Sequence, residues 1–390
     1  MLYNCSDRGG RMKNSDKKKV LLFVDRMRVG GIQILLRDIY KYMNPQDVTL
    51  EFLVLDDGEQ YPLEEEIRSL GATIYKLNGI WIRSLRGFKD YRKAMDAFFK
   101  EHHDYCAVHM NSGSKNFYFL YYARKYGIPI RIAHSHNTNF QSKSKAQILL
   151  GNILKVPMKR YATNYFACSE YAGEWLFGKK NVKNGKVTVL KNAIDLDSFE
   201  YRKEVRKRVR EELGITNDTI VIGHVGRFTP QKNHTFLIDI FEELYKQNPK
   251  CILILAGIGE LMDDCKKKVK LLGLEKQVMF LGFRSDVNDL LQAMDIFLMP
   301  SLYEGFPVTG IEAQASGLPC VFSDTITREA NILKEVKYIG LDQDVKTWAT
   351  EVLQLVGVAD REGCKSMLKK QGFDIRDYVN TLKKYYIIDA

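Results

Sequence analysis

Short apolar runs alternate with amphipathic stretches along most of the chain. Residues 19–25 are apolar at every interior position, as in a strand buried on both faces. Gly30 and Gly31 follow, and residues 32–43 then take helical spacing. The pairing recurs: strands are predicted over 49–55, 73–77, 105–109, 130–134, 165–169 and 187–190, and helices over 84–102 and 116–126. A linker begins at Asn192 and leads into a charged stretch over 201–212. A second series starts at 220–225 and continues through strands at 251–256, 278–281, 296–299 and 319–323. In the helix over 235–246, Leu237, Ile240, Phe241 and Leu244 share one face.

Repeated strand–helix units predict parallel sheets covered by helices on both sides. With 390 residues the chain is long for one core, so two domains are expected. The fold class is therefore α/β, with two Rossmann-like doubly wound domains, 18–190 and 191–374, facing a cleft. Ligands of such sheets bind at the carboxyl ends of the strands. Residues 1–17 are polar and charged, and a disordered tail is expected there. They hold no apolar segment of a signal peptide, and no apolar run approaches the roughly 20 residues that span a bilayer. The seven cysteines form no C-x-x-C pair, which fits a reduced, cytoplasmic setting and argues against structural zinc.

Charge is uneven. Residues 1–190 carry 31 Lys and Arg against 18 Asp and Glu, whereas 191–390 carry 28 against 30. Between Asp104 and Glu170 there is no acid at all. The excess is either a solvated surface or a contact for an anionic partner: a membrane, a lipid diphosphate or nucleic acid.

The chemistry-bearing positions fall at strand ends. Glu304 and Glu312 flank a turn, Gly305-Phe306-Pro307, that leads into a helix beginning near Val308. The backbone N–H groups of that helix start can face a diphosphate. Glu312 can then accept hydrogen bonds from ribose hydroxyls, and Glu304 can reach a sugar. The alternative is a capping glutamate beside a surface one. Gly226-Arg227-Phe228 follows the first strand of the second domain with Lys232 close behind, giving either phosphate donors or a turn with two solvated cations. Gly257 and Gly259 form a G-x-G without the full dinucleotide-binding pattern. In the first domain, His109, Asn111, His134 and His136 lie at two strand ends, where a histidine can donate to a sugar hydroxyl or shuttle a proton.

Taken in order, Gly30-Gly31, residues 132–137, residues 192–195, Gly226-Arg227-Phe228 with Lys232, residues 256–259, Gly282-Phe283-Arg284 and the run from Glu304 to Glu312 resemble a retaining GT-B glycosyltransferase of family 4 (group 1), of the capsular or exopolysaccharide type. The resemblance spans about residues 18–335. It implies a sugar transferred from a nucleotide-sugar, UDP-linked, to a lipid-linked or growing polysaccharide acceptor. The implied catalytic residues are His134, Glu304, Arg227 and Lys232. Arg227 and Lys232 would neutralise the diphosphate, Arg284 would lie along the base, Glu312 would bind the ribose, and Glu304 would face the transferred sugar. The amides of Val308 and Thr309 would meet the phosphates, and Gly30 and Gly31 would give them room. Gly257, Gly305, Phe306 and Pro307 complete the donor side. His109, Asn111 and His136 are the acceptor-side candidates.

No metal or cofactor is implied. A last helix, about 375–390, would return to the first domain. Gly310 departs from the family pattern and is expected to weaken its helix start; Asn111 stands where a second histidine is common. Residues 148–154, flanked by Lys143, Lys145, Lys155, Lys159 and Arg160, read as an interfacial segment for the inner face of the membrane. Competing readings are a GT-B-like UDP-sugar epimerase and a basic nucleic-acid-binding protein. The latter is disfavoured because no aromatic-basic recognition motif is present.

Overall fold

The structure, a computed structural model, describes residues 18–28, 30–78, 85–138 and 144–387. The expected tail over 1–17 lies outside them, as do Lys143 and residues 388–390.

The first sheet has seven parallel strands: β1 (Lys18–Val24), β2 (Val48–Asp56), β3 (Thr73–Asn78), β4 (Ala107–Met110), β5 (Ile130–Ser135), β6 (Asn164–Ala167) and β7 (Val187–Val189), in the order 3-2-1-4-5-6-7. The second has six: β8 (Ile220–Val225), β9 (Cys251–Ala256), β10 (Val278–Gly282), β11 (Ile296–Met299), β12 (Cys320–Ser323) and β13 (Val336–Ile339), in the order 10-9-8-11-12-13. Each order reverses once, between β1 and β4 and between β8 and β11. These reversals open a crevice beyond the strand ends, and the predicted site residues follow those strands or their neighbours.

Side chains of β1 alternate between two cores. Val20, Leu22 and Val24 face the helices Gly31–Tyr42 and Ile375–Tyr386, while Leu21 and Phe23 join the opposite layer. The last helix does pack on the first domain: Ile375, Tyr378, Val379, Leu382 and Tyr386 are buried there. Asp374 starts it by accepting the Arg376 N–H at 2.9 Å. In the second domain Leu237, Ile240, Phe241 and Leu244 are fully buried, so the predicted helix face is the packed one.

Three local features differ from the expectations. The predicted helix over 116–126 is a 3-10 turn, Ser114–Asn116, followed by the helix Tyr118–Lys125. Strand β4 starts two residues late, at Ala107; Tyr105, just before it, donates its hydroxyl to Glu51 at 2.7 Å. Strand β13 and the helix Val345–Gln354, which buries Trp348, were not read from the sequence.

Candidate active site

The second-domain half of the site is two loops stitched together. After β8 the chain makes the 3-10 turn Pro230–Lys232 and then places Asn233 in the left-handed region at φ 57. Asparagine tolerates that conformation better than most residues. Its Nδ2 donates to the Pro300 carbonyl at 3.1 Å, while Leu302 N–H donates to Gln231 O at 2.8 Å. Gln231 Nε2 donates to Tyr303 O at 3.0 Å and to Glu304 at 3.2 Å. Lys232 Nζ completes the arrangement 2.8 Å from Glu304. The Glu304 side chain is only 6% exposed, so its charge is held by one cation and one amide donor. Arg227 projects to solvent and has no ion-pair partner among the described residues.

The helix Val308–Ala315 begins directly after this loop. The Val308 N–H is taken by Phe306 O at 3.0 Å, but among the described residues the Thr309 N–H has no backbone acceptor and the buried Thr309 hydroxyl has no partner. Thr309 is therefore the open donor of this helix start. Gly310 does not abolish the helix. A Cβ there would lie 2.8 Å from the Phe322 ring, so glycine lets β12 pack beneath the first turn. Glu312 is buried, and burial pushes its carboxyl up to about 7. Asp38, across the cleft, pushes the same way, while Arg37 and Lys232 oppose it. Arg37 and Asp38 form their own pair at 2.7 Å.

The first-domain half meets this edge closely. A Cβ on Gly31 would lie 3.1 Å from Val308 Cγ2, and one on Gly305 would lie 2.7 Å from the His136 carbonyl oxygen. Glycine at these two positions lets the domains touch. Behind them the His134 and His136 rings lie 3.9 Å apart between centroids, their planes tilted by 33°. His136 Nε2 donates to Asn111 Oδ1 at 2.9 Å, because Asn111 Nδ2 is directed to the His109 carbonyl at 3.3 Å. Burial lowers all three histidines: His109 to about 3, His136 to about 4 and His134 well below the ordinary range, so all are neutral at pH 7. His134 and His136 line a cavity of about 10 Å³ together with Asn111, Ser112 and Trp175.

Glu304, Lys232, Thr309, Glu312, Gly31, Gly305, His134 and His136 thus gather around one cleft, and Gly30 starts the helix Gly31–Tyr42 at its edge. Other predicted positions do not face it. His109 is fully buried with both ring nitrogens engaged, so it is no acceptor contact. Phe306 packs on Phe373 at 5.8 Å. A Cβ on Gly257 would strike Gly226 O at 2.1 Å, so this glycine serves the packing of two strand-end turns. Arg284 is engaged by Asp286, its near neighbour in sequence.

Sequence reasoning missed Arg37, Asp38 and Gln231. It also missed Asp25, at the end of β1, which accepts from the Ser112 hydroxyl and the Asn116 amide, and whose carboxyl is raised by burial. An acid directly after a buried strand was the available signal for Asp25.

Comparisons with known proteins identify the family and the fold. The family model "Glycosyl transferases group 1" matches residues 205–364, and "Glycosyltransferase Family 4" matches residues 29–198. EpsF of Bacillus subtilis (strain 168), assigned as a glycosyltransferase, is 33% identical over 385 residues, covering 97% of this chain and 98% of that protein. The UDP-Gal:alpha-D-GlcNAc-diphosphoundecaprenol alpha-1,3-galactosyltransferase of Escherichia coli is 27% identical, covering 96% of this chain and 98% of its own. Among solved structures, Anabaena HepE in complex with UDP and glucose superposes with a TM-score of 0.77 at 18% identity, covering 94% of this chain and 98% of its own.

Proposed function

The chain belongs to the family 4, group 1 glycosyltransferases, and we propose that it transfers a sugar from a UDP-linked donor, with retention of configuration, to a lipid-diphosphate-linked or growing glycan in cell-surface polysaccharide biosynthesis. The observation that carries this reading is the Lys232–Glu304 pair beside the open Thr309 amide, set against the His134–His136 edge of the other domain. The Escherichia coli relative, named for a diphosphoundecaprenol-linked acceptor, supports the acceptor class.

In this reaction the bond between the anomeric carbon and the diphosphate oxygen breaks. The acceptor hydroxyl forms a new bond on the same face and passes its proton to the departing diphosphate. Charge grows on the leaving group, and Lys232, Arg227 and the Thr309 N–H stabilise it there. Those cations supply what a metal would, so we read the reaction as metal-independent. Glu312 holds the ribose and Glu304 the sugar. Thermal stabilisation against UDP-, GDP- and ADP-sugars, followed by UDP release with a diphosphate-lipid acceptor, tests the reading. Saturable stabilisation by a UDP-sugar supports it. Stabilisation by none of them sinks it.

Among the described residues no helix is long and apolar enough to cross a membrane. The helix Lys145–Tyr161 instead exposes Leu149, Leu150, Ile153 and Val156, beside Lys145 and Arg160. We assign this face to an anionic membrane surface, which would bring a lipid-linked acceptor to the first domain. Lys155 is not part of it: its ammonium donates to Trp175 O at 2.7 Å, and burial lowers it to about 8. Sedimentation with vesicles, unaffected by anionic lipid or salt, would count against the assignment.

A further inference from the structure

A line of hydrogen bonds runs from the last helix to the cleft. The Tyr386 hydroxyl lies 2.6 Å from His109 Nδ1, and His109 Nε2 lies 3.0 Å from His134 Nδ1. All three side chains are buried. His134 Nε2 ends the line, buried and without a partner among the described residues, on a residue that lines the small cavity at the cleft.

The direction of the line follows from counting protons. A neutral imidazole carries one N–H and one lone pair. Among the described residues the Tyr386 hydroxyl has one hydrogen-bond partner, His109 Nδ1. If His109 Nδ1 carried the proton, the tyrosine hydrogen would be left buried and unpaired, which is the arrangement proteins avoid. Tyrosine therefore donates. His109 must then carry its proton on Nε2 and donate it to His134 Nδ1, which leaves the His134 proton on Nε2.

We propose that Tyr386 and His109 are positioning residues that fix His134 as the Nε2–H tautomer, so that it presents a neutral hydrogen-bond donor, and no base, to an oxygen of the donor sugar. The assignment of the ligand rests on the glycosyltransferase reading; the tautomer does not. Burial of the three rings keeps the line uncharged near neutral pH. His136 belongs to a separate arrangement, since its Nε2–H is committed to Asn111. The first-domain edge thus offers the cleft a fixed donor whose polarity is decided some 250 residues later in the chain, at Tyr386.

The experiment is long-range ¹H–¹⁵N correlation of the imidazole rings in full-length protein labelled only at histidine. Seven histidines give a tractable spectrum, and the difference from His134→Gln assigns the signal. The expected result is His134 protonated on Nε2 in the wild type. In Tyr386→Phe it should become a mixture of tautomers, with kcat lowered roughly tenfold and KM for the donor little changed. A wild-type His134 protonated on Nδ1 overturns the proposal. So does an unchanged tautomer in a folded Tyr386→Phe. If that variant does not fold, the wild-type spectrum decides alone. Failure of every nucleotide-sugar to bind, with the Nε2–H tautomer present, would remove the functional reading and leave the relay standing. Binding of UDP-sugar with the opposite tautomer would remove the relay alone.

Discussion

The two edges of the cleft are built on different principles. The second-domain edge is charged and paired: Glu304 meets Lys232, and two loops 70 residues apart are joined by four donors. The part of the first-domain edge that meets Gly305 is uncharged, made of histidine rings kept neutral by burial and directed by an amide and a tyrosine, while its charged pair, Arg37 and Asp38, acts on Glu312. A nucleotide-sugar carries its charge on the central diphosphate and its hydroxyls on the ribose and the sugar to either side. On the proposed reading this is a division of labour: the second domain meets the diphosphate charge as well as the hydroxyls near Glu304 and Glu312, and the histidine edge adds an uncharged donor.

The sharpest way to break that division is to remove the cation. Lys232→Ala leaves Glu304 buried and unpaired and strips the leaving group of a partner; kcat/KM should fall roughly 10²–10³-fold. A loss under threefold would mean that the charged edge is structural. Next comes the contact between the edges. Gly305→Ala drives a methyl against the His136 carbonyl, so the domains must part. Turnover should fall about 10- to 100-fold with an increased radius of gyration in X-ray scattering. Unchanged scattering and rate would show that closure does not matter.

Glu312 tests the charged edge by titration. Its folded-state carboxyl is raised to about 7 from 4.5, so between those pH values the folded protein holds a proton that the unfolded chain has lost. Stability from this group is full below about pH 4.5, falls as pH rises to about 7, and is flat beyond. The melting temperature of wild type relative to Glu312→Gln should follow that curve. UDP affinity, weakened about tenfold by Glu312→Gln, should lose its pH dependence near 7 in the variant.

Two smaller effects sharpen the picture. Gly310→Ala should cost about 1–3 kcal/mol in denaturant unfolding, and Phe322→Leu in the same chain should recover part of it. Arg284→Ala should change UDP affinity less than about threefold, because Asp286 already engages this guanidinium. A larger loss would return Arg284 to the base-binding role that the family resemblance implied.

Much of the scaffold was legible because buried parallel strands are apolar throughout and each is punctuated by a polar or glycine-bearing end. The register from Glu304 to Glu312 survived even Gly310, since helix geometry depends on spacing more than on one residue's propensity. Other features were hidden for reasons of distance. Nothing local to Lys232 announces Glu304, and nothing near His109 announces Tyr386, 277 positions away. Strand β13 escaped because it lies at the sheet edge, where Lys337 and Tyr338 are only partly buried and the apolar run is short. The misplacement of His109 has a simpler cause: a strand end marks proximity to the cleft, whereas the direction of a ring depends on what packs behind it.

The chain passes between its two lobes twice, and the two passages are bonded to each other. Ile194 N–H donates to Phe373 O at 2.9 Å, and Ile375 N–H donates to Ile194 O at 3.0 Å. A single tether would allow one lobe to swivel about its own axis. Two segments bridged side by side resist torsion and sliding, so the remaining easy movement is a bend across the pair. The lobes would then separate along a nearly fixed arc and return to the same seating, with Gly31 over Val308 and Gly305 against His136 after every excursion.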